Sequence, residues 1–367
     1  MGVEAGRGLP AAGGRRPVRM LALSLLVASN LSLALIIFPA SPALADAAAP
    51  LTGHIIGVGI AAAAALLLRR HGLAALVGGA VATFAIHLWL GLGAATFSPG
   101  SEAIAAETRP SQTSLSIVSI NTWDAAQNLE ELRAYLATGP ADIVVLSELG
   151  PDKQGLVPAL SAVYPHQRSC AHRYDCSLAL LSRVPFEAAG TVAYTREMPA
   201  FVWARFAGAL HVIGTHVYRP SRKPWLHARQ TEAIARMIKR IEGPVVLAGD
   251  LNMSPWSHAY KSLRAQTGLK SARWLMPSWP AWPLNLPQVA LDHILVSHDL
   301  TVTASGTGPA VGSDHLPVLA RVERQVQRTR GPTTGRGSRL AVTRLHLDAE
   351  LFADLGGEHG GARDLRR

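Results

Sequence analysis

Six short polar clusters between residues 121 and 315 each sit at one end of an apolar run. Asn121 follows 115–120, Glu148 follows 143–146, and His216 closes the Gly-Thr-His that ends 210–216. Asp250 and Asn252 belong to the Gly-Asp-Leu-Asn at 249–252, Asp292 to the Leu-Asp-His at 291–293, and Asp314 and His315 to the Ser-Asp-His at 313–315. Carboxylates and imidazoles are the side chains that exchange protons near neutral pH, and carboxylate and amide oxygens are the donors that hard divalent cations take. Each cluster alone has an ordinary structural explanation, because Asp and Asn favour turns and caps. Six strand-end clusters in one domain are harder to assign to turns, since strand ends at one rim of a sheet converge where ligands bind.

Short apolar runs alternating with amphipathic helices must position these groups. Strands are expected at 115–120, 143–146, 178–181, 202–206, 210–214, 245–248, 293–296 and 316–322, from runs of Val, Ile and Leu bounded by turn residues. Helices are expected at 129–136, capped by Asn128, and at 225–241, where Leu226, Ile234, Met237 and Ile241 share one side. Strands outnumber helices, which points to an α+β or layered α/β domain with its core between packed sheets. There is no internal repeat.

The six clusters resemble, in order and spacing, the motifs of the endonuclease/exonuclease/phosphatase superfamily, which includes the pancreatic-type DNase, exonuclease III-type repair nucleases, sphingomyelinases and inositol-polyphosphate 5-phosphatases. The matching runs are Ser119-Ile120-Asn121, the stretch from Asp142 to Glu148, Gly214-Thr215-His216, the 249–252 motif, Leu291-Asp292-His293 and Ser313-Asp314-His315. The resemblance covers about 111–323, and more narrowly the chain is similar to bacterial members with N-terminal membrane helices. It implies a four-layer α/β sandwich (DNase I-like) preceded by transmembrane helices, and a metal-dependent phosphoesterase attacking its substrate in line with an activated water. It also implies a divalent ion, Mg²⁺ or in its place Mn²⁺.

On that resemblance Glu148 is the main metal ligand, supported by Asn121 and Asp314. Asp250 activates the water, Asn252 holds a phosphate oxygen, His315 oriented by Asp292 stabilises the transition state, and His216 contacts the phosphate or assists the leaving group. The division of base and acid between Asp250 and the histidines stays open. Phosphoester hydrolysis needs these parts: an activated water, charge shielding at the phosphoryl oxygens, and a proton or cation for the leaving oxygen. A zinc hydrolase fits poorly, with two Cys and no His-Glu-x-x-His. Cys170 and Cys176 are expected to form a disulfide closing a short loop, as an oxidising compartment permits. His172, between them, reads as a loop residue. Arg219 and Arg222 could give the site a basic edge, or belong to a solvated loop. Trp256, Trp274, Trp279 and Trp282 shape a cleft or simply pack.

The chain has 367 residues, 16% of them charged, with a net charge of +10. A net +4 lies in 1–100 and another +4 in 321–367, leaving +2 for the catalytic segment, too little for the many phosphate contacts of long DNA. From 20 to 45, 47 to 68 and 71 to 101 there is no charge, and each stretch supplies the roughly 20 apolar residues that cross a membrane. Arg15, Arg16 and Arg19 precede the first stretch, and Arg69 and Arg70 separate the second from the third. Because Arg-rich short loops stay cytoplasmic, the expected path has the N-terminus inside, 41–50 outside, 69–71 inside and the rest outside. This places a multi-pass protein in the inner (cell) membrane with its catalytic domain on the periplasmic side. Ala43-Leu44-Ala45 also has the form of a signal cleavage site.

The expected organisation is thus a membrane region at 1–97 with helices at 20–40, 52–68 and 72–94, a linker at 98–110, a catalytic domain at 111–323 and a basic tail at 324–367 whose composition cannot bury a core. The expected partners are the bilayer and a phosphoester that is nucleic acid, a phospholipid or a small metabolite. The alternative is a non-catalytic binding or scaffolding module on the same fold.

Overall fold

The computed structural model describes residues 15–37, 39–68, 72, 78–79, 114–126, 129–171 and 175–324. The expected helix at 72–94, the linker, the tail from 325, the Asn128 cap and His172 fall wholly or almost wholly outside them.

Two compact units divide the chain, residues 1–41 with 51–95, and residues 42–50 with 96–367. In the first, helix α1 (Arg15–Ile37) and helix α3 (Thr52–Leu68) pack through Ala22, Leu26, Ala62, Ala63 and Leu66. Their outer faces carry exposed Leu21, Val27, Leu31, Leu35, Ile60 and Leu67. The stretches Pro17–Ile37 and Pro42–Leu68 are long and apolar enough to cross a membrane.

In the second unit the residue alternation of the strands builds two sheets that are buried on both faces. In chain order the strands are β1 (Ser114–Asn121), β2 (Ile143–Ser147), β3 (His166–Ser169), β4 (Ala179–Ser182), β5 (Phe186–Val192), β6 (Phe201–Phe206), β7 (Leu210–His216), β8 (Val245–Asp250), β9 (Lys270–Ser271), β10 (Asp292–Val296), β11 (Leu300–Thr307) and β12 (Val318–Arg324). The helices are α2 (Pro42–Ala48), α4 (Glu130–Ala137), α5 (Leu156–Ala159), α6 (Pro224–Lys239) and α7 (His258–Thr267). One sheet runs β11-β12-β1-β2-β4-β3, the other β5-β6-β7-β8-β10-β9. The only parallel pairs between these strands are β1–β2 and β7–β8.

Alternation assigns each side chain a layer. Ile117, Ile143 and Val145 face Val212, Val246, Ala248 and Ile294 across the inter-sheet core. Their neighbours Val118, Val144 and Leu146 pack outward on Leu132 and Leu136 of α4 and Leu156 of α5. Ile213, Val245 and Leu247 pack on Ala233, Ile234 and Met237 of α6 and Leu263 of α7. The result is a four-layer sandwich of helices, sheet, sheet and helices. The sheets approach closely where Gly214 faces Val145, because a β-carbon at 214 would lie 2.5 Å from Val145 Cγ1.

All eight expected strands and both helices form, with ends shifted by a few residues. The elements not anticipated are β3, β5, β9, β11 and the short helices α2, α5 and α7. β5 reads Phe-Glu-Ala-Ala-Gly-Thr-Val and pairs on one side only, so its weak strand propensity is overruled by tertiary pairing. The expected disulfide is present: Cys170 and Cys176 are both buried, with Cα atoms 5.7 Å apart.

Gly249 has φ +148°, and a β-carbon there would collide with the carbonyl oxygen of Thr215 on the parallel neighbour. Only glycine lets β7 and β8 stay paired up to His216 and Asp250. Gly249→Ala is therefore expected to destabilise the domain by about 3 kcal/mol. Chemical denaturation of the purified protein checks this, and an unchanged midpoint would contradict it.

Candidate active site

Strand register gathers the site. In the second sheet His216 stands beside Asp250 across the parallel β7–β8 pair, and Asp292 stands directly opposite Asp250 across the antiparallel β8–β10 pair. In the first sheet Asn121 ends β1 beside Ser147 at the end of β2, one residue before Glu148. The same rim of both sheets thus presents all five groups. Asn121 joins the sheets by donating from Nδ2 to Asp250 Oδ2 at 3.1 Å.

Glu148 turns into the cleft through a left-handed backbone, φ 55°, a conformation that costs a non-glycine residue roughly 1 kcal/mol. Asn252 (φ 50°) and Trp123 (φ 57°) have the same conformation, so strained residues concentrate here, as they do at functional sites. Glu148 Oε2 accepts from the Asp124 amide at 2.8 Å, while Oε1 lies 3.4 Å from Arg219 Nη2 and 3.6 Å from His216 Nε2. His216 Nε2 is also 3.6 Å from Asp250 Oδ2. Asp250 Oδ1 accepts from the Asn252 amide at 2.9 Å, and the Asn252 side chain donates to Val217 O at 3.0 Å.

The loop between β11 and β12 delivers the last two groups. Ser313 Oγ donates to Asn121 O at 2.7 Å and accepts from the His315 amide at 3.0 Å. His315 Nδ1 meets Asp292 Oδ2 at 2.6 Å, and the same oxygen accepts from Ser278 Oγ at 2.5 Å. His315 Nε2 is thereby aimed at the cluster, 4.0 Å from Asp250 Oδ2 and 3.9 Å from Asp314 Oδ1.

Burial sets the electrostatics. It raises the pKa of Asp250, as does the neighbouring Asp292 carboxylate, against the pull of His315 and His216. Burial alone would neutralise His315, but Asp292, with Asp250 and Asp314, outweighs it and lifts the imidazole to about 10. Burial also works against ionised Glu148, yet His216, the Asn121 amide, the Asp124 N–H and Arg219 hold it at about 2. Asp314 is raised by its burial.

Two sets of donors lie close enough to share an ion: Glu148, His216 and Asp250, and Asp250, Asp292 and His315, with ligand atoms within 4.8 Å of one another in each set. The second is committed to the Asp292–His315 hydrogen bond. Close to His315, Asp314 Oδ1 is buried without a hydrogen-bond partner among the described residues, and a buried carboxylate oxygen without a donor suits a hard cation. The Asn121 side-chain oxygen accepts from the Trp123 amide at 2.9 Å.

Arg219 and Arg222 line a cleft of about 530 Å³ with Glu148, His216, Tyr194 and Tyr218. Cys176 and Ser177 form part of its wall, so the disulfide holds one side. Of the four tryptophans, Trp256 and Trp274 pack edge to face in the interior, centroids 5.6 Å apart. Trp279 donates to Asp314 Oδ2 at 3.2 Å, and Trp282 is exposed and tilted against Trp123 at 5.5 Å.

Sequence reading missed Lys153, Ser278 and Asp124. Lys153 is 4% exposed and donates from Nζ to Trp123 O at 2.5 Å and Asp124 O at 2.8 Å. It anchors the turn whose amide holds Glu148, and burial lowers its pKa against the pull of Asp152, Asp124, Glu148 and Asp314. A lysine in a Gly-Pro-Asp-Lys turn gives no signal of burial; only the acid clusters it faces could have suggested a buried cation.

The chain belongs to the endonuclease/exonuclease/phosphatase family, whose model matches residues 118–315. Members of this family are hydrolases of phosphoester bonds. Similar solved structures include an endonuclease/exonuclease/phosphatase from Beutenbergia cavernae, 19% identical with a TM-score of 0.48, covering 58% of this chain and 72% of that one. Sphingomyelinase C from Streptomyces griseocarneus is 22% identical with a TM-score of 0.42, covering 57% and 99%. Humanized D. rerio TDP2 is 18% identical with a TM-score of 0.47, covering 57% and 99%. No curated protein matches the chain.

Asp292→Asn removes the charge that keeps buried His315 protonated, so the His315 pKa is expected to fall and kcat/KM on a phosphoester to drop about 10²–10⁴-fold. The wild-type pair stabilises the fold fully below pH 6.5, the ordinary histidine value, and that contribution is lost as pH rises toward about 10. Imidazole NMR and stability measured across this window check both points. A His315 titration unmoved by Asp292→Asn would contradict them.

Proposed function

We propose that this protein is a membrane-anchored, Mg²⁺-dependent phosphodiesterase. The observation that carries this reading is the Asp292–His315 pair, whose free Nε2 faces Asp250 beside Glu148 and His216. Glu148, with Asp314 and Asn121, would hold Mg²⁺ or Mn²⁺, which when bound supplies positive charge to the phosphoryl oxygens.

The chain's own groups divide the remaining work. Asp250, held by the Asn121 and Asn252 amides and raised by burial, orients the attacking water and takes its proton. His315, kept as imidazolium by Asp292, donates from Nε2 to a phosphoryl oxygen as charge develops in the transition state. His216 places a second donor on the other side of Asp250 and serves the leaving oxygen. Asn252, whose amide is set by Val217 O, offers its second N–H to the phosphate. Arg219 and Arg222 give the cleft its basic wall.

The rim supports a substrate carried in a lipid surface over nucleic acid. Residues 274–291 contain no charge, and within them Trp282, Leu284 and Leu286 are exposed, Trp282 against Trp123 next to the cleft residue Asp124. Exposed Trp and Leu in an uncharged stretch suit insertion at a headgroup interface. The two long apolar helices support anchoring in a bilayer, and a third crossing at 72–94, with Arg69 and Arg70 kept inside, would put the catalytic unit on the outer, periplasmic face.

Full-length protein in detergent or bilayers is expected to hydrolyse phosphodiesters with Mg²⁺, to stop with EDTA, and to lose at least about 10³-fold in turnover as Asp250→Asn or His315→Ala. Trp282→Ala with Leu284→Ala should lower activity on vesicle-borne diesters and leave a soluble aryl diester unaffected. Equal loss on both would contradict the lipid substrate, and activity untouched by Asp250→Asn would contradict the mechanism.

A further inference from the structure

We propose that residues 42–50, the connection between α1 and α3, are a fixed part of the catalytic unit, docked on the start of α7 by Asp46. This places the connection and the catalytic site on the same side of the membrane. The topological half rests on the reading of α1, α3 and the uncharged stretch at 72–94 as membrane-spanning, since an even number of crossings must separate the connection from the catalytic unit; the docking half does not.

Asp46 is the only acidic residue between Glu4 and Glu102. A carboxylate in so apolar a stretch is costly unless paired or hydrogen-bonded, and Asp46 is 3% exposed. Its partners are distant in sequence: Oδ1 accepts from the His258 amide at 2.5 Å and Oδ2 from the Ala259 amide at 2.9 Å. Ser257 Oγ accepts from the next amide, Tyr260, at 3.1 Å. The N–H groups that open a helix have no partner within it, and here the first three are divided between a local cap and a carboxylate supplied from more than two hundred residues away. The positive end of the helix dipole adds to the attraction, as does the nearby Lys261 ammonium.

The remainder of the segment agrees. α2 packs on both α6 and α7, and residues 42–50 group with the catalytic unit although the chain on either side of them belongs to the other unit. The segment seated on α7 is covalently continuous with α1 and α3, so the chain enters the catalytic unit here as well as through the linker before β1. The tie reaches the site, because α7 begins where the loop carrying Asp250 and Asn252 ends, and His293 Nε2 meets Met253 O at 2.7 Å within that loop. A fragment that starts after the linker lacks Asp46 and leaves two amides of α7 without their acceptor.

The test uses the full chain in nanodiscs and in spheroplasts. By hydrogen exchange, the amides of His258 and Ala259 are expected to lose at least tenfold of their protection in Asp46→Ala, with β2 and β8 unchanged; unchanged protection at α7 would overturn the docking. In spheroplasts, Leu44→Cys and Ser262→Cys, both at exposed positions, should react alike with a membrane-impermeant maleimide. Reaction of one and protection of the other would overturn the shared face. If alkaline carbonate releases the protein while the exchange result stands, the anchoring reading fails and the docking survives.

Discussion

A buried carboxylate next to other carboxylates stays ionised only if positive charge or hydrogen-bond donors are built around it, and the two-sheet unit of this chain is organised by that requirement. Asp250 lies between Asp292 in its own sheet and Glu148 at the end of the other, and is 1% exposed. Its compensation comes from both sheets and the loops between them: the Asn121 amide, the Asn252 backbone, His216 and His315. Each compensating group is fixed in turn by something else, His315 by Asp292 and Ser313, and the Glu148 turn by Lys153. Removing one partner leaves charge unpaired in a medium of low dielectric, which is why such a site behaves as a unit.

The sandwich makes this possible by geometry. Parallel β1–β2 and β7–β8 pairs point their C-terminal ends to one rim, and antiparallel β10 brings the start of a strand, Asp292, to the same rim. Glycine at 214 lets the sheets close up, and glycine at 249 lets β7 and β8 remain paired to their last residues. The catalytic proposal therefore depends on backbone features as much as on the polar residues themselves.

What was legible in the sequence follows from the same logic. The strands that carry the site are buried on both faces, so they read as unbroken Val, Ile and Leu runs, and the polar residue after each run stood out. Strands such as β3 and β5 gave weak patterns, because pairing with a neighbour rather than composition makes them strands. α7 was missed although Ser257 caps it and Gly268 ends it in a left-handed turn, since ten residues hold little periodicity. The histidine–carboxylate pairing of His315 with Asp292 came through the family resemblance. Lys153, Ser278 and Asp46 came from neither, because each acts on groups far away in sequence and its type alone gives no reason to suspect it. The exposed Trp282 and the buried Trp256 look alike in sequence, and burial alone separates the rim from the core.

The central claim is that residues from two sheets act as one phosphoester-hydrolysing unit across the Asn121–Asp250 contact. A double-mutant cycle on kcat/KM, with Glu148→Gln from one sheet and Asp250→Asn from the other, tests it most directly. The account predicts strong non-additivity, the double variant being little worse than the poorer single variant. Additive losses, or a single variant that keeps near wild-type turnover, would contradict it.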